Sequence, residues 1–270
     1  MANSSSGESL ISRAVRVLGA LSDQKTKGKN VRETARLAGL PVSTTHRILS
    51  ELEVEGLVSR DPAGGGWRHG TRLWEMVRKG APLEGLREAS VPAMEDLVAS
   101  FEVHVSLGVL DRNEVLYIER FAPHELTKNI SAVAGRLAVH ATSAGLALMA
   151  SASVSEQALL LSRNLEKFTA STSTNPNELR RHLAQIRRDG FCVSAGTVIQ
   201  ESTGISVPIF GGAGNAIAAL SVIVPIEEEN VERYVPHLKF ASKAIQRHLG
   251  IEPNRGVEFA RRTTSAPAYP

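Results

Sequence analysis

The sequence predicts an α+β protein with a small N-terminal helical domain, a linker helix and a larger C-terminal domain built on a six-stranded sheet. Three observations support this fold class. The chain has 270 residues, which is long enough for two domains. Apolar residues recur at helical spacing up to about residue 101, and strand-like segments then alternate with helices. Near the N-terminus, Gly39 separates two short helical patterns, as in a helix-turn-helix.

The N-terminal third reads as three helices followed by a β-hairpin. The first helix is "SLISRAVRVLGALSD", with Ser9 as its cap, and the second is "VRETARLAGL". The third follows Pro41, with Ser43 as the expected N-cap, and runs to about Glu55. "GLVSRDPAGGGWRHGTRLW" then predicts a strand, a glycine-rich turn and a returning strand. Residues 9–78 therefore form a predicted winged helix-turn-helix domain.

The third helix has an apolar face and a polar face that is concentrated at its N-terminal end. A helical projection at about 100° per residue turns Thr45 inward with the apolar residues. Free amides and short hydroxyls at a helix N-terminus suit phosphate and base edges, and arginine can bind guanine with two hydrogen bonds. The outward and flanking residues predicted to contact DNA are Ser43, Thr44, His46, Arg47 and Ser50.

The hairpin supplies further candidate DNA contacts in Arg60, Arg68 and Arg72, which could reach the DNA backbone or minor groove. For Arg72, pairing with a core carboxylate is the alternative, and Trp67 is interpreted as a packing residue of the wing. A merely solvated face is the alternative for the whole surface. Charge favours DNA, because residues 1–80 hold 13 Lys/Arg against 8 Asp/Glu, whereas the remainder holds 18 against 20.

Residues 79–101 predict a linker helix that is bent or interrupted at Pro92. Residues 102–250 predict a domain of six strands and four helices, and residues 251–270 a disordered tail. The predicted strands are "VHVSLGVL", "EVLYIERF", "NISAVAG", "FCVSAGTV", "GISVPIF" and "AIAALSVIVP". The predicted helices are "HATSAGLALMASAS", "SEQALLLS", "NPNELRRHLAQIRRDG" and a final helix from about Glu227 to Leu249.

Several chemistries find no support in the sequence. Cys192 is the single cysteine, which excludes an internal disulfide and fits a reducing compartment. There is no H-E-x-x-H or Cys/His metal spacing and no G-x-S-x-G elbow, so we expect no catalytic residue, metal site or cofactor. No apolar run is long enough to span a membrane, and "MANSSSGESL" does not resemble a signal peptide. We therefore expect a cytoplasmic protein with no membrane partner.

Residues 9–250 resemble the IclR family of bacterial transcription regulators. The resemblance is carried by "SRAVRVLGAL", "ETARLAGLPVSTTHRILSELEVEGLV", "AVHATSAGLALMA" and "GISVPIFGGAGNAIAALSV". It implies a winged helix-turn-helix domain, a linker helix and a GAF-like effector domain with a central antiparallel sheet. It also implies homodimers, usually pairs of dimers, on palindromic double-stranded operators, and small effectors that are often carboxylates or aromatic acids.

The resemblance also implies where an effector would bind. Position by position, it points to Ser143, Ala144, Ser194, Gly204, Ser221 and Ile223, with Leu137 and Met149 as apolar wall. A lining rich in hydroxyls favours an anionic or hydroxylated ligand. None of these positions is Arg or Lys, so a dianion would depend on backbone amides. Local hydrogen bonding to backbone is the alternative role for each serine.

The resulting hypothesis is a transcription regulator, acting as repressor or activator, that a small-molecule effector controls. Two alternatives remain open. The C-terminal domain could be an enzyme that acts on a small acid and is fused to a DNA-binding module. It could instead be a dimerisation scaffold whose pocket has collapsed.

Overall fold

The computed structural model describes residues 8–22, 28–62, 64–80, 83–123 and 135–251. The chain divides into two compact units, residues 1–82 and 83–270. Most of the strand predicted over "NISAVAG" and the predicted disordered tail after Ile251 lie outside the described residues. Within the described part of the chain, no helix is long and apolar enough to cross a membrane.

The N-terminal unit contains the predicted three helices and hairpin, followed by a fourth helix. Its elements are α1 (Leu10–Ser22), α2 (Val31–Ala38), α3 (Val42–Val54), β1 (Val58–Arg60), β2 (Trp67–His69) and α4 (Thr71–Gly80). The strands β1 and β2 pair antiparallel. The core of this unit includes Leu21, Ile48, Leu49 and Trp67, so Trp67 is a packing residue, as predicted.

Local capping explains the turn between α2 and α3. The Asn30 side chain accepts a hydrogen bond from the Glu33 amide at the start of α2, and Gly39 ends the helix in the left-handed conformation at φ 63°. The prediction of Ser43 as N-cap was wrong, because Pro41 occupies the cap position and Ser43 lies inside the first turn. Thr45 is fully buried, as the projection predicted, and its hydroxyl donates to the Pro41 carbonyl.

The structure corrects the sequence interpretation at two places after the hairpin. The returning strand was predicted to continue through "TRLW", but α4 begins at Thr71. Four residues are too few to separate a strand from a helix start. The segment predicted as one linker helix contains the end of α4 and the helix α5 (Glu84–Phe101), which runs through Pro92 without interruption.

The C-terminal unit is a six-stranded antiparallel sheet with helices on both faces, which confirms the predicted fold class. After α5 its elements are β3 (His104–Asp111), β4 (Glu114–Phe121), β5 (Arg136–Ala138), α6 (Ser143–Ala150), α7 (Val154–Leu161), α8 (Pro176–Asp189), β6 (Cys192–Ala195), β7 (Ser202–Phe210), β8 (Ala216–Pro225) and α9 (Val231–His248). The strand order is β5-β4-β3-β8-β7-β6.

The two faces of this sheet have different roles. One face packs against α5 and α9 through an apolar core that includes Val105, Leu107 and Leu220. The other face carries α6, and α6 in turn contacts α8. All eight residues of α6 are buried, because the helix lies between the sheet and α8. The alternation of side chains along each strand therefore decides which residues face α6.

The wing is joined by hydrogen bonds to the segment that precedes α2. Lys29 forms a β-bridge with Trp67, and the Gly28 amide donates to the Asp61 carboxylate at 3.0 Å. Gly28 and Gly66 pass so close to each other that a Cβ on Gly66 would overlap the Gly28 carbonyl oxygen. This close approach positions the hairpin beside the helices.

We therefore expect Gly66→Ala to lower the free energy of unfolding of the N-terminal unit by about 1–3 kcal/mol, because backbone must move to accept the methyl group. Gly64→Ala is the matched control, since a Cβ there meets nothing within 4 Å. Urea unfolding followed by tryptophan fluorescence reports on this unit, because both tryptophans, Trp67 and Trp74, belong to it. Equal stability of the two variants would contradict this account of the wing.

Candidate functional site

The outer face of α3 presents the polar residues that the sequence analysis selected. Ser43, His46 and Arg47 are exposed, and Thr44 and Ser50 are half-buried. The first two turns of the helix contain no acidic residue, whereas Glu51 and Glu53 follow further along. The N-terminal end of α3 therefore combines free amides, hydroxyls and one cation, which suits contact with an anionic polymer.

The arginines predicted to contact DNA differ in how firmly the fold holds them. Arg47 lies 4.0 Å from Glu51, a weak surface pair that leaves it free to reorient. Arg68 donates to the Ser59 hydroxyl across the hairpin at 3.3 Å. Arg60 stacks on the Trp67 ring, with its guanidinium carbon 3.7 Å from the ring centroid.

Arg72 pairs with Glu55, an exposed residue, and not with the core carboxylate that was its alternative partner. Its guanidinium donates to the Glu55 carbonyl at 2.8 Å and to the Glu55 carboxylate at 3.0 Å. Glu55 caps the C-terminal end of α3, where an unpaired carbonyl and the helix dipole favour a cation. In the structure Arg72 therefore stabilises the C-terminal end of α3, and its predicted contact with DNA stays a prediction.

In the C-terminal unit, a cavity of about 50 Å³ lies between the sheet and the N-terminal end of α6. It is lined by six of the eight residues predicted to bind an effector, namely Leu137, Ser143, Ser194, Gly204, Ser221 and Ile223. The register explains the grouping on the sheet, since Gly204 pairs with both Ser194 and Ile223 across adjacent strands.

Ala144 and Met149 do not line this cavity, although both were predicted to do so. They are buried in the core that α6 shares with α8, 1% and 4% exposed respectively. The reason is helical geometry. Ser143 begins α6 and faces the sheet, and successive helix positions rotate by about 100°, which turns Ala144 and Met149 away from the cavity.

Three serine hydroxyls form a chain along one wall of the cavity. The Ser206 hydroxyl donates to Ser143 Oγ at 2.6 Å, and the Ser206 and Ser221 hydroxyls also lie 2.6 Å apart. A hydroxyl has one proton, so Ser221 donates to Ser206 when Ser206 donates to Ser143. The Ser143 proton is then available to an acceptor in the cavity.

Gly204 makes room for this arrangement. A Cβ at Gly204 would lie 2.5 Å from Ser143 Oγ. Thr142 caps α6 by accepting a hydrogen bond from the Gly145 amide, which fixes the helix start above the sheet. The glycine therefore lets the first residue of α6 approach β7 closely enough for Ser143 to reach Ser206.

Sequence reasoning missed about half of the lining residues. They are Ser106, Tyr117, Ala141, Thr142, Thr197, Val198 and Ser202. Ser106 and Tyr117 come from β3 and β4, which the resemblance did not mark. A signal was available, because Ser106 and His104 are polar residues in the otherwise apolar run "VHVSLGVL". A buried polar residue normally has a hydrogen-bond partner.

Ser106 differs from the other serines of the cavity. It is fully buried, and its hydroxyl has no hydrogen-bond partner among the described residues. Ser221 lies directly opposite Ser106 on β8, but its hydroxyl is bonded to Ser206 instead. A buried hydroxyl without a partner is destabilising, and a ligand group is one way to satisfy it.

Two ionisable residues beside the cavity are held in their neutral forms. Burial raises the pKa of the Tyr117 phenol to about 12, so the phenol stays protonated. Burial likewise raises the pKa of the Cys192 thiol to about 12, and a thiol that stays protonated is a poor nucleophile. His140 is buried and hydrogen-bonded to the Glu166 carbonyl.

A second, wider cavity of about 430 Å³ lies at the other end of α6, beside the start of α7. Its polar residues Ser153 and Glu156 already satisfy each other in a capping box. None of its lining side chains has a buried polar atom without a partner in the described part of the chain. Among all the residues that the structure describes, no group of three or more His, Cys, Asp or Glu side chains could hold a metal ion.

Comparison with known proteins assigns both units to one family. Residues 10–62 match the IclR helix-turn-helix domain, and residues 83–247 match the C-terminal domain of IclR bacterial transcriptional regulators. The transcriptional regulator XynR of Escherichia coli is 28% identical over 244 residues, which cover 89% of this chain and 96% of XynR. The repressor IclR of the same organism is 28% identical over 204 residues, 74% of each chain.

A solved structure gives the same assignment. An IclR homolog from Microbacterium hydrocarbonoxydans, crystallised in complex with 4-hydroxybenzoate, is 37% identical and superposes with a TM-score of 0.82. The match covers 90% of this chain and all of that homolog. With an IclR helix-turn-helix domain and an IclR C-terminal domain, the chain belongs to the IclR family of bacterial transcriptional regulators.

Proposed function

We propose that this regulator responds to a small organic acid, of the size of a hydroxybenzoate, bound in the cavity between α6 and the sheet. The observation that carries the proposal is the unpartnered, fully buried Ser106 hydroxyl in a cavity otherwise lined by hydroxyl and apolar groups. The 4-hydroxybenzoate bound by the 37% identical homolog supports the same ligand class.

The size of the cavity supports a ligand-dependent change of conformation. At about 50 Å³, the cavity is much smaller than the roughly 300–1,000 Å³ that is typical of small-molecule sites. We therefore propose that the cavity widens when a hydroxybenzoate binds. Binding then favours the wider state, and a difference in affinity between two states is what allows a ligand to shift their populations.

The proposed DNA interface is the N-terminal end of α3 in the major groove, with the hairpin on the backbone. Ser43, His46 and Arg47 make the central contacts, and Thr44 and Ser50 flank them. Arg60 and Arg68 contact phosphates from the wing. Arg72 is left out, because its hydrogen bonds to Glu55 hold it at the other end of α3.

We further propose that the regulator is a homodimer, assembled into a dimer of dimers on palindromic DNA. Two groups of exposed apolar side chains in the N-terminal unit support self-association. Leu10, Ile11 and Val15 are 46%, 76% and 60% exposed on α1. Trp74, Met76 and Val77 are 66%, 53% and 55% exposed on α4. Apolar surface of this kind is usually covered by a partner.

We propose that the C-terminal unit has no enzymatic activity. Among the described residues, the side chains that line the cavity include no His, Lys, Asp, Glu or Cys. A serine nucleophile needs an adjacent base, and the Ser143, Ser206 and Ser221 hydroxyls are hydrogen-bonded to one another instead.

The alternative to a ligand-binding domain is a scaffold with a permanently closed cavity. A thermal-shift titration with 4-hydroxybenzoate separates a ligand-binding domain from such a scaffold, because only the ligand-binding domain gains stability.

We expect Arg47→Ala to remove preference at one base step of a selected operator, at a cost of about 1–3 kcal/mol for the preferred base. Fluorescence anisotropy with the operator and its single-base variants measures this. Arg72→Ala is the contrast, since it should lower stability while the base preference is kept. Uniform weakening by Arg47→Ala on every duplex would reassign Arg47 to phosphate contact.

We expect Gly204→Ala to weaken 4-hydroxybenzoate binding at least about tenfold while operator affinity in the absence of ligand stays unchanged, because the new methyl group displaces the Ser143 hydroxyl. Calorimetric titration measures the affinity. Adding Ser143→Ala removes the clashing atom, so the double variant should lose less than the sum of the two single effects. Strict additivity would show that Gly204 and Ser143 do not act together.

A further inference from the structure

A β-bulge places Arg120 on the cavity side of the sheet. On β4, Tyr117 pairs with Gly108 and Arg120 pairs with Ser106, so three steps on β4 match two steps on β3. In a regular strand, residues three apart would point to opposite faces. The extra residue at the bulge restores Arg120 to the face that carries Tyr117 and Ser106, as bulges do when they redirect a side chain.

The opposite face confirms this orientation. Glu119, the neighbour of Arg120, pairs with Leu107, which belongs to the core beneath α5 and α9. The Glu119 carboxylate accepts a hydrogen bond from Arg87 of α5 at 2.7 Å. Arg120 is therefore directed away from α5, and directly opposite residues on neighbouring strands have Cβ atoms about 4.5–5.5 Å apart. Arg120 is thus a lateral neighbour of Ser106.

The charges around Ser106 and Arg120 favour the binding of an anion. No formally charged side chain lines the cavity within the described residues, so a counter-charge for an acid has to come from beside the lining. Arg120 is half-buried, and its guanidinium remains a cation at physiological pH. Burial and the charge of Arg120 lower the pKa of His104, two residues before Ser106, which keeps that imidazole neutral near pH 7.

We propose that Ser106 and Arg120 form an anion-binding end of the cavity, where they hold the carboxylate of the acid. The Ser106 hydroxyl donates one hydrogen bond to it, and Arg120 supplies the charge. The ligand's other polar group then meets the Ser143 hydroxyl at the start of α6. This inference rests on the proposed function, because it assumes that an acid enters this cavity.

Two probes of the same shape test the proposal, 4-hydroxybenzoate and the uncharged 4-hydroxybenzamide. Calorimetric titration of the full chain should show that the wild type prefers the benzoate. Arg120→Gln should weaken benzoate binding about 10- to 100-fold, the range for a hydrogen bond to a charged group, while amide binding changes little. Arg120→Lys should keep most of the preference, because it keeps the charge.

Arg180→Gln is the matched control, since Arg180 is an exposed residue of the same unit that bonds Asn177. It should leave both affinities unchanged. If Arg120→Gln weakens both probes equally, or neither, the carboxylate lies elsewhere, for example at the N-terminus of α6, and the proposal is overturned. If the wild type binds neither probe, the proposed function falls and this inference falls with it.

Ser106→Ala provides an independent test that does not depend on the folding of Arg120 variants. Because its hydroxyl has no partner among the described residues, removing it should leave the melting temperature of the ligand-free protein unchanged or higher, while benzoate affinity falls about 3- to 10-fold. Ser90→Ala is the control, an equally buried serine whose hydroxyl donates to the Leu86 carbonyl at 2.7 Å. It should leave benzoate affinity unchanged. Unchanged benzoate affinity of Ser106→Ala would overturn the role of Ser106.

Discussion

The close seating of α6 on the central sheet is the constraint on which the candidate effector site depends. Small residues allow it. A Cβ on Gly204 of β7 would press on the Ser143 hydroxyl, and one on Gly145 would overlap the Val139 carbonyl oxygen in the turn that leads into α6. With α6 held this close, its first residue reaches Ser206 on β7, and a small cavity remains between helix and strands. Any movement of α6 changes this space directly.

The polar row on the sheet has a cost that the fold alone does not explain. Ser106, Ser221, Ser206 and Cys192 pair laterally across β3, β8, β7 and β6, and the bulge on β4 adds Arg120 to the row. Buried apolar side chains would stabilise this face at least as well, and the opposite face is apolar. A role in ligand recognition would explain these polar residues, since hydroxyls and a guanidinium can bind an acid where apolar groups cannot.

The sequence predicted the fold where local chemistry decides it. The Gly39 turn depends on a single residue type and was found as expected. Thr45 was correctly turned inward because an amphipathic helix has a definite face. The start of α4 was missed, since "TRLW" is too short to show a periodicity of its own.

The cavity was harder to predict, because lateral pairing brings together residues that are distant in sequence. Resemblance located Ser143 and Ser221, yet Met149 faces the core of α6 and α8 instead. Ser106 and Arg120 became neighbours only through the strand register and its bulge, which no periodic pattern in the sequence reveals. The hydrogen-bond inventory of the folded chain was needed to single out Ser106.

The central claim is that ligand in this cavity and DNA on α3 are thermodynamically linked. The most direct test measures the affinity for 4-hydroxybenzoate twice, with the free protein and with the protein saturated by a selected operator duplex. Linkage predicts that the two affinities differ by about 5- to 150-fold, and that the ligand changes operator affinity by the same factor. Identical ligand affinities in the two states would contradict the account, however tightly the acid binds.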